Sequence, residues 1–171
     1  SEEHVSMAGI PTEASILDMV ERAMPGRVQN VYAHSSGGGK FIAVIQFKKT
    51  VPSDEGRQRQ AALLAFSAFP ELKQVILVDE DVDIFDTNDV LWAMTTRMQA
   101  DVDIVTIPGV RCHPLDPSND PACSWSIRDH GIACKTIYDA TVPFNQKARF
   151  QRAKFMEVDV KKFLPDFTVQ D

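Results

Sequence analysis

Cysteine is scarce in this chain, and the cysteines that are present do not form close pairs. The three are Cys112, Cys123 and Cys134, an odd number without Cys-x-x-Cys spacing. A disulfide framework needs an even set of cysteines, and the common zinc and redox motifs need close pairs, so the sequence argues against both. The pattern predicts a protein of a reducing compartment, and we expect the cytoplasm.

Long apolar runs and a surplus of positive charge are also lacking. No stretch is long enough to span a bilayer, and no secretory signal pattern opens the chain. The 24 acidic and 18 basic side chains give a net charge of −6, which argues against nucleic acid or an anionic membrane as the main partner. The chain starts SEEHVSMAGIP without an initiator methionine, so we expect it to be a piece of a longer protein.

The sequence does contain a regular alternation of helical and strand patterns. Helical spacing and helix-start signals cover residues 11–24, 52–69 and 86–97, whereas strand patterns cover 28–33, 41–49, 74–79, 103–109 and 134–141. The run 74–79 is nearly continuous in apolar character, as expected of a central strand that is covered on both faces. Helices alternating with strands predict an α/β fold with a largely parallel sheet flanked by helices.

Three segments lie outside this regular pattern. The glycine loop at 34–40, HSSGGGK, separates two strand patterns, which predicts an N-terminal hairpin. Residues 110–131 form a long loop, and loops of this length usually carry function or cover a partner. Residues 145–171 are expected to form an extended C-terminal tail. Because no linker divides the chain, we expect residues 1–171 to form a single α/β domain.

An acidic corner follows the central strand pattern, with six carboxylates between residues 79 and 89. An EF-hand that starts at Asp79 would need Gly at its sixth position and Glu at its twelfth, where this chain has Ile84 and Val90. A carboxylate pair that binds Mg²⁺ stays open, because this ion needs fewer protein ligands. We favour the simpler interpretation, in which these residues cap exposed N–H groups at a strand-to-helix turn.

Two stretches resemble a known family of enzymes. VDEDVDIFDTNDVLWAMTTRM (78–98) resembles the Asp-rich turn and following helix in the C-terminal domain of UbiD-family decarboxylases, and GIACKTIYDATVPF (131–144) resembles their G-x-K-x-x-x-D-A-T block. A looser match is PTEASILDMVERAMPGRVQNVY (11–32). The glycine loop and the Cys-His-Pro loop are most similar to the protocatechuate and 4-hydroxybenzoate decarboxylase branch of the family.

The resemblance implies a reaction, a cofactor and an assembly. Such enzymes decarboxylate aromatic or unsaturated acids reversibly and without oxidation, using prenylated FMN held with a divalent metal (Mn²⁺ or Mg²⁺) and often K⁺. The modified flavin supplies the electron sink that loss of CO₂ from an aryl ring requires. The family's Glu-Arg-Glu catalytic residues and metal ligands lie upstream, in a segment that nothing here matches. We therefore expect a C-terminal domain that is inactive alone and belongs to a homo-oligomer acting on a hydroxyaromatic acid.

Three basic residues are candidates for the catalytic site that the resemblance implies. Lys40 ends the glycine loop, where a cation would favour the phenolate form of a ring hydroxyl; the alternative is a solvated hairpin lysine. His113 would bind such a hydroxyl or relay its proton, or else hydrogen-bond a carbonyl group. His4 lies in the segment that would join an upstream domain, although chain ends are commonly frayed. His34 and His130 are expected at the surface.

Lys135 is the candidate cofactor-binding residue. It occupies the Lys of the G-x-K-x-x-x-D-A-T block, and the resemblance implies that it approaches the prenylated flavin; the alternative is a strand lysine paired with an acid such as Asp139. We predict no metal site in this chain. Cys112 and His113 are neighbours but lack a third ligand at usable spacing, and Trp92 has the helical spacing of a core or interface residue.

Two functions of different classes remain open. The first is a domain of a hydroxyaromatic acid decarboxylase, and the second is a free-standing, non-enzymatic α/β module that binds a protein partner or a small ligand. The family-like blocks and the missing initiator methionine favour the first. A gene that starts in the same serine region, with no upstream reading frame, would favour the second.

Overall fold

The structure is a computed structural model that describes residues 2–114, 116–119, 122 and 131–153, with side chains described from Met7 onward. Its helices are α1 (Glu2–Ala23), α2 (Arg57–Ala68), α3 (Thr87–Arg97) and the single turn α4 (Ala100–Asp103). Its strands are β1 (Val28–Ala33), β2 (Ile42–Phe47), β3 (Gln74–Asp79), β4 (Ile104–Arg111) and β5 (Ile132–Ala140). Short 3₁₀ turns span Ser35–Gly37, Pro52–Asp54, Pro117–Asn119 and Phe144–Arg149.

The strands form one five-stranded sheet in the order β1-β2-β3-β5-β4. Strands β2, β3 and β5 run parallel at its centre, with Val44 opposite Ile76 and Ile76 opposite Tyr138. Strands β1 and β4 pair antiparallel at the two edges. The predicted α/β class and the N-terminal hairpin are confirmed, and the parallel arrangement is confined to the three central strands.

Helices α1 and α2 cover one face of the sheet. Ile16 and Val20 of α1 and Ala61 and Ala65 of α2 pack with Leu77 of β3 in one buried cluster. All five residues are inaccessible to solvent. The spacing of four residues within each helix places its buried residues on one stripe that faces the strands.

Helix α3 and the acidic corner cover the opposite face. Val90 and Ala93 of α3 pack in a second cluster together with Ile76 and Val78 of β3. Successive residues of a strand point to opposite faces, so β3 contributes alternately to the two clusters. This confirms the prediction that β3 is a central strand covered on both faces.

Helix α1 begins at Glu2, well before the start that was predicted at Pro11. Proline removes one main-chain hydrogen bond and usually ends or kinks a helix. In this helix the hydroxyl of Thr12 donates to the carbonyl oxygen of Ala8 at 2.8 Å and lies 3.1 Å from the carbonyl oxygen of Gly39. These contacts tie the turn around Pro11 to the glycine loop, and the helix continues through the proline.

Helical spacing predicts that Ile16, Leu17, Val20 and Ala23 share one buried face of α1, and this prediction is only half correct. Ile16 and Val20 are buried, whereas Leu17 and Ala23 are exposed. The prediction assumed a broad apolar stripe of the kind that packs against a wide core. In the part of α1 whose side chains are described, one row of residues spaced four apart contacts the core, so Leu17 and Ala23 remain at the surface.

The start of α2 differs from the prediction, and the start of α3 agrees with it. Helix α2 begins at Arg57 and not at residue 52, because Pro52–Asp54 forms a separate 3₁₀ turn. Helix α3 is capped by Asp86, whose carboxylate accepts the main-chain N–H of Asn88 at 2.9 Å. The sequence offered Asp86 or Asn88 as the cap of this helix, and the structure has Asp86 in that position.

The loop between β4 and β5 is shorter than predicted, because β4 runs to Arg111 and β5 begins at Ile132. The predicted tail over 145–171 starts with the 3₁₀ turn Phe144–Arg149. Residues 154–171 of that tail lie outside the described residues. None of the helices in the described part of the chain has the length and apolar character needed to cross a membrane.

Candidate functional site

The glycine loop between β1 and β2 places Lys40 next to the amino-terminal end of β2. Gly38 and Gly39 have φ angles of 64° and 69°, left-handed values that favour glycine. A Cβ atom at Gly37 would lie 2.5 Å from Cγ2 of Ile42, so a side chain does not fit there either. The three glycines therefore allow a tight turn that ends at Lys40.

His113 lies just after β4, in a segment that is held by its own hydrogen bonds. The side chain of Asn119 and the main-chain N–H of Asp116 both donate to the carbonyl oxygen of His113, at 3.0 and 3.1 Å. The amine of Lys73 binds the Asp116 carboxylate at 2.8 Å, which fastens this segment to the start of β3. Burial alone would raise the pKa of Asp116, but hydrogen bonds from Lys73 and Ser118 lower that pKa overall.

Glu71 brings the two predicted catalytic residues together. Its Oε2 lies 3.3 Å from Nζ of Lys40, and its Oε1 lies 3.6 Å from Nε2 of His113. The His113 ring also meets the ring of Phe41 edge-on, with centroids 5.9 Å apart. The three residues Lys40, Glu71 and His113 thus form one charged cluster, which we call the Lys40–Glu71–His113 cluster.

The cluster forms because three loops meet at one end of the sheet, where the parallel strands begin. Lys40 precedes β2 and Glu71 precedes β3, whereas His113 follows β4, which runs antiparallel to its neighbour β5. All three residues consequently lie beyond the amino-terminal ends of the parallel strands. Glu71 was missed from the sequence, because a single glutamate in a loop has no distinctive spacing and its partners become neighbours only through the strand order.

A cleft of about 240 Å³ opens near this cluster; Phe41, whose ring meets that of His113, lines it, whereas Lys40, Glu71 and His113 are not among its lining residues. Its lining combines the ring of Phe41 with polar groups of Lys73, Gln74 and Asp116. Lys73 is the one lysine in this lining and its amine binds Asp116, while Lys40 is the neighbour of Phe41 in the chain; an aromatic residue close to these amines suits a small ligand that carries a ring and a negatively charged oxygen. The neighbouring imidazole of His113 adds a group that can donate or accept a proton, so the arrangement suits a phenol or phenolate.

His34 stands apart from this arrangement, and it is the one other histidine whose side chain lies within the described residues. His4 lies in the first turns of α1, and its side chain is outside the described residues, so the structure does not place it at the cleft. The ring of His34 is partly buried and lies 2.8 Å from the hydroxyl of Thr87, while its Nδ1 accepts the main-chain N–H of Ser36 at 3.1 Å. It therefore links the glycine loop to the start of α3. Cys123 and His130 lie outside the described residues.

Lys135 is buried against the segment that carries Glu71. Its amine donates to the carbonyl oxygen of Pro70 at 2.7 Å and to that of Leu72, and it lies 5.1 Å from the ring centroid of Phe66. Burial lowers the pKa of the Lys135 amine. The amine thus binds main-chain oxygens and not the neighbouring carboxylate that the sequence offered as an alternative. Its contact with a flavin stays a prediction.

Cys112 is a buried thiol next to His113. Burial raises the pKa of the thiol, which disfavours the reactive thiolate. Its Sγ donates to the carbonyl oxygen of Glu71 at 3.4 Å. These observations support the interpretation of Cys112 as a small buried residue and not as a nucleophile.

The acidic corner lies at the opposite end of the sheet, after the carboxyl-terminal end of β3. The guanidinium of Arg97 donates to Asp79 at 2.9 Å and to both oxygens of Asp81, at 2.7 and 2.6 Å. The main-chain N–H of Val142 also donates to Asp79, at 2.8 Å. Burial raises the pKa of Asp79, whereas hydrogen bonds from Arg97 lower that of Asp81. The side chains of Arg97 and Asp79 are 2% and 5% exposed, so their ion pair is the buried part of this network, whereas the side chain of Asp81 is 40% exposed.

Other carboxylates of the corner bind main-chain N–H groups. Asp83 accepts the N–H of Phe85 at 2.9 Å, and Asp89 accepts the N–H of Asp83 at 2.7 Å. Together with Asp86 at the start of α3, these contacts confirm the capping interpretation. Among the described residues, no group of three metal-ligating side chains is found.

Trp92 lies on the outer side of α3, with 38% of its surface exposed. Its ring is contacted by two guanidinium groups, that of Arg97 at 5.0 Å and that of Arg152 at 4.1 Å from the ring centroid. The tryptophan is therefore absent from both core clusters, whereas Met94 and Met98 pack against the second one. An interface role for Trp92 stays a prediction.

Neither Lys135 nor the cleft near Lys40 forms a complete flavin site in this chain alone. The amine of Lys135, the residue that the family block assigns to the cofactor, already binds two carbonyl groups, and the residue is 4% exposed. The cleft near Lys40, at about 240 Å³, is smaller than most pockets for drug-sized ligands, which span about 300–1,000 Å³. These residues can supply at most one wall of a cofactor site.

The family of the chain follows from a match over residues 5–140 to the domain described as the 3-octaprenyl-4-hydroxybenzoate carboxy-lyase C-terminal domain, UbiD_C. The chain belongs to the UbiD C-terminal domain family. The matched region contains all five strands and the Lys40–Glu71–His113 cluster. The resemblance carried by the Asp-rich turn and the G-x-K-x-x-x-D-A-T block is therefore confirmed.

Two highly similar proteins are much longer than this chain. Gallate decarboxylase of Lactiplantibacillus plantarum is 61% identical over 166 residues, which cover 96% of this chain and 34% of that protein. The apo structure of 3,4-dihydroxybenzoic acid decarboxylase from Enterobacter cloacae is 63% identical with a TM-score of 0.89, and the match covers 97% and 34% of the two chains.

A more distant solved relative is the UbiD-class enzyme HmfF from Pelotomaculum thermopropionicum, in complex with FMN. It is 33% identical with a TM-score of 0.82, over 98% of this chain and 35% of that one. An evolved dimeric form of HmfF has been solved with prFMN. The chain thus spans about a third of the length of the relatives that it matches.

Proposed function

We propose that the chain is a domain of a reversible, non-oxidative decarboxylase of hydroxyaromatic acids, of the protocatechuate or 4-hydroxybenzoate type. The observation that carries this proposal is the Lys40–Glu71–His113 cluster, because it joins an amine and an imidazole next to Phe41, whose ring meets that of His113 and which lines the nearby cleft. Relatives at 61% and 63% identity are decarboxylases of gallate and of 3,4-dihydroxybenzoic acid. Both of those acids carry ring hydroxyls that such groups can bind.

Lys40 and His113 have separate parts in the proposed reaction. A protonated Lys40 beside a ring oxygen favours the phenolate, which raises the electron density of the ring that loses CO₂. His113 hydrogen-bonds a ring hydroxyl or relays its proton, a role worth roughly 10²–10⁴ in rate when the geometry is right. His4, near the start of α1, is proposed as a third residue of the same site.

Prenylated FMN is the proposed cofactor, together with a divalent metal (Mn²⁺ or Mg²⁺) and K⁺. The similarity to HmfF, which has been solved with FMN and with prFMN, supports the flavin. When bound, the flavin supplies an electron sink for decarboxylation. Because Lys135 and the cleft near Lys40 do not form a complete flavin site, we expect the part of the relatives that this chain does not cover to hold most of the cofactor and the metal. Lys135 is proposed to lie on the side that approaches the flavin.

The isolated chain is proposed to be inactive, because the family's Glu-Arg-Glu catalytic residues have no match in it. We also propose that residues 1–171 form a single domain, and that the complete enzyme is a cytoplasmic homo-oligomer. The alternative is a free-standing, non-enzymatic α/β module that binds a protein partner or a small ligand. The cleft near Lys40 would suit a small ligand in either case, so an assay must separate the two.

Assaying the full-length protein that contains this chain tests the proposal. Expressed with a supply of prenylated FMN, it should release CO₂ from protocatechuate with formation of catechol, and it should carboxylate catechol at high bicarbonate. Benzoate, which has no ring hydroxyl, is the matched control and should not react. Flavin-loaded protein that decarboxylates no hydroxylated benzoic acid would show that the proposed function is wrong, and the non-enzymatic module would then be the better account.

A further inference from the structure

Glu71 has a position that the proposed function leaves unexplained. Its two carboxylate oxygens face different partners, Nζ of Lys40 at 3.3 Å and Nε2 of His113 at 3.6 Å. We propose that Glu71 is a positioning residue that holds the Lys40 amine and the His113 ring in fixed places near the cleft, and that Lys135 anchors the segment that carries it. The inference rests on the proposed function, because it assigns a task within the same site.

The segment around Glu71 is anchored at three consecutive carbonyl groups. The amine of Lys135 binds the carbonyl oxygens of Pro70 and Leu72, one on each side of Glu71. The thiol of Cys112 donates to the carbonyl oxygen of Glu71 itself, at 3.4 Å. These donors come from β5 and from the residue after β4, so two strands fix the segment. A carboxylate on main chain that is already fixed loses less conformational entropy when it binds its partners.

The surroundings of Lys135 suit an anchoring role. A buried ammonium group is costly unless its hydrogens find acceptors. The Lys135 amine has two carbonyl acceptors, and the ring of Phe66 lies 5.1 Å away, within the range of a cation–π contact. Hydrogen bonds from a charged donor are stronger than those from a neutral one. The lysine therefore both satisfies its own charge and restrains Pro70 and Leu72.

The pairing with Glu71 leaves Lys40 able to bind a ligand oxygen. The 3.3 Å contact is an ion pair without hydrogen-bond alignment, since Oε2 of Glu71 accepts no hydrogen bond from any described residue. The Lys40 ammonium has three hydrogens, and 37% of its side chain is exposed. Glu71 therefore restrains the position of this charge while the donors remain available for a phenolate oxygen.

For His113, the carboxylate distinguishes the two ring nitrogens. A neutral imidazole has one N–H, and the proximity of Glu71 Oε1 to Nε2 favours Nε2 as the nitrogen that carries it. The 3.6 Å separation is longer than a hydrogen bond, so the contact between Glu71 and His113 is electrostatic. Glu71 thus acts through Lys40 and His113 and does not itself need to touch the ligand.

Replacing Glu71 in the full-length protein tests the inference by activity. Glu71→Gln keeps the size of the side chain and removes its charge, so kcat for protocatechuate should fall at least about tenfold while KM changes less than about threefold. Glu71→Asp restores the charge and should recover part of the lost kcat. Glu80→Gln is the matched control, because Glu80 also pairs with a lysine, Lys147, and has the same 35% side-chain exposure as Glu71. This variant should keep the parent kcat.

The activity results separate failure of the inference from failure of the proposed function. A parent protein that decarboxylates no hydroxylated acid means that the proposed function has failed. An active parent whose kcat is the same in Glu71→Gln overturns the positioning role. A lower kcat that merely follows a loss of folded protein, with no recovery in Glu71→Asp, also overturns it, because Glu71 would then be needed only for folding.

A second readout is the ¹⁵N spectrum of the His113 ring in the 171-residue chain, which does not depend on activity. The chain has four histidines, so the spectrum of His113→Gln identifies the His113 resonances. We expect the His113 ring shifts to differ between the parent and Glu71→Gln, and to be unchanged in Glu80→Gln. Identical His113 shifts in the parent and Glu71→Gln would show that Glu71 does not set the state of this ring, and would overturn the proposal.

Discussion

At the scale of single residues, Lys135 shows that a motif residue can be recognised while its partner is not. The family block identified the lysine, and the flavin or Asp139 were the partners considered. The described contacts are instead the carbonyl groups of Pro70 and Leu72, on the segment before β3. No sequence spacing joins these positions, because they meet only when β5 packs beside β3. The flavin contact stays a prediction for the complete enzyme.

Arg97 provides a prediction about stability at the same scale. Arg97→Met should lower the free energy of unfolding by about 3–5 kcal/mol at neutral pH, because Asp79 would stay buried without its cation. Burial raises the pKa of Asp79. A carboxyl group whose pKa is raised by folding favours the folded state when protonated, so the deficit should shrink as the pH is lowered from about 7 to about 5. Urea unfolding at both pH values measures this.

The matched control for this experiment is Arg22→Met. Arg22 pairs with Asp18 at the surface of α1, with side chains 77% and 61% exposed, so its loss should cost no more than about 1 kcal/mol. If the Arg97 and Arg22 variants lose the same stability, the network around Arg97 is no stronger than a surface ion pair, and its description as a network with a buried ion pair is wrong.

At the scale of elements, features that depend on neighbouring residues could be predicted from the sequence. Strand β3 was predicted with its observed bounds, because a short, continuous apolar run between polar segments is a local signal. The cap of α3 by Asp86 is local in the same sense. The start of α1 was not predictable in this way. The local signal at Pro11 indicates a helix start, but the helix continues through this proline, and the neighbouring Thr12 contacts Gly39 in a loop that is distant in sequence.

The acidic corner gives a prediction for an element as a whole. Adding Ca²⁺, Mg²⁺ or Mn²⁺ should leave the melting temperature of the chain nearly unchanged, because Asp79 and Asp81 are already bound by Arg97. A tight site would instead raise stability by about 2.7 kcal/mol at a metal concentration one hundred times its Kd. Thermal melts with each metal measure the shift. A clear rise that Asp81→Asn abolishes would contradict the capping interpretation.

At the scale of the whole molecule, the alternation of helices and strands predicted the α/β class but not the order of the strands. Strand β5 lies between β3 and β4, and β4 is an antiparallel edge strand. This order brings His113 to the same end of the sheet as Lys40 and Glu71. The resemblance and the two loops were enough to propose Lys40 and His113, whereas Glu71 could be found only from the assembled sheet.

The whole chain also carries a prediction about its cofactor. The 171-residue chain should fold, because its helices and strands supply two buried clusters of their own. It should not retain prenylated FMN, because the cleft and the buried Lys135 do not form a complete flavin site. The absorption spectrum of the chain, purified after coexpression with a source of prenylated FMN, checks this. A stoichiometric flavin would show that the cofactor site has been placed wrongly.

The central claim, that Lys40 and His113 act on the ring hydroxyls of the substrate, is tested most directly by steady-state kinetics of the full-length protein. Lys40→Met removes the cation and keeps most of the side-chain volume, and His113→Gln keeps polarity but cannot exchange a proton as imidazole does. Each change should lower kcat/KM for protocatechuate at least about tenfold, or about 1.4 kcal/mol of transition-state stabilisation, with the flavin bound and the fold intact. Parent rates in both variants across about pH 6–9 would contradict the claim and make both residues solvated loop positions.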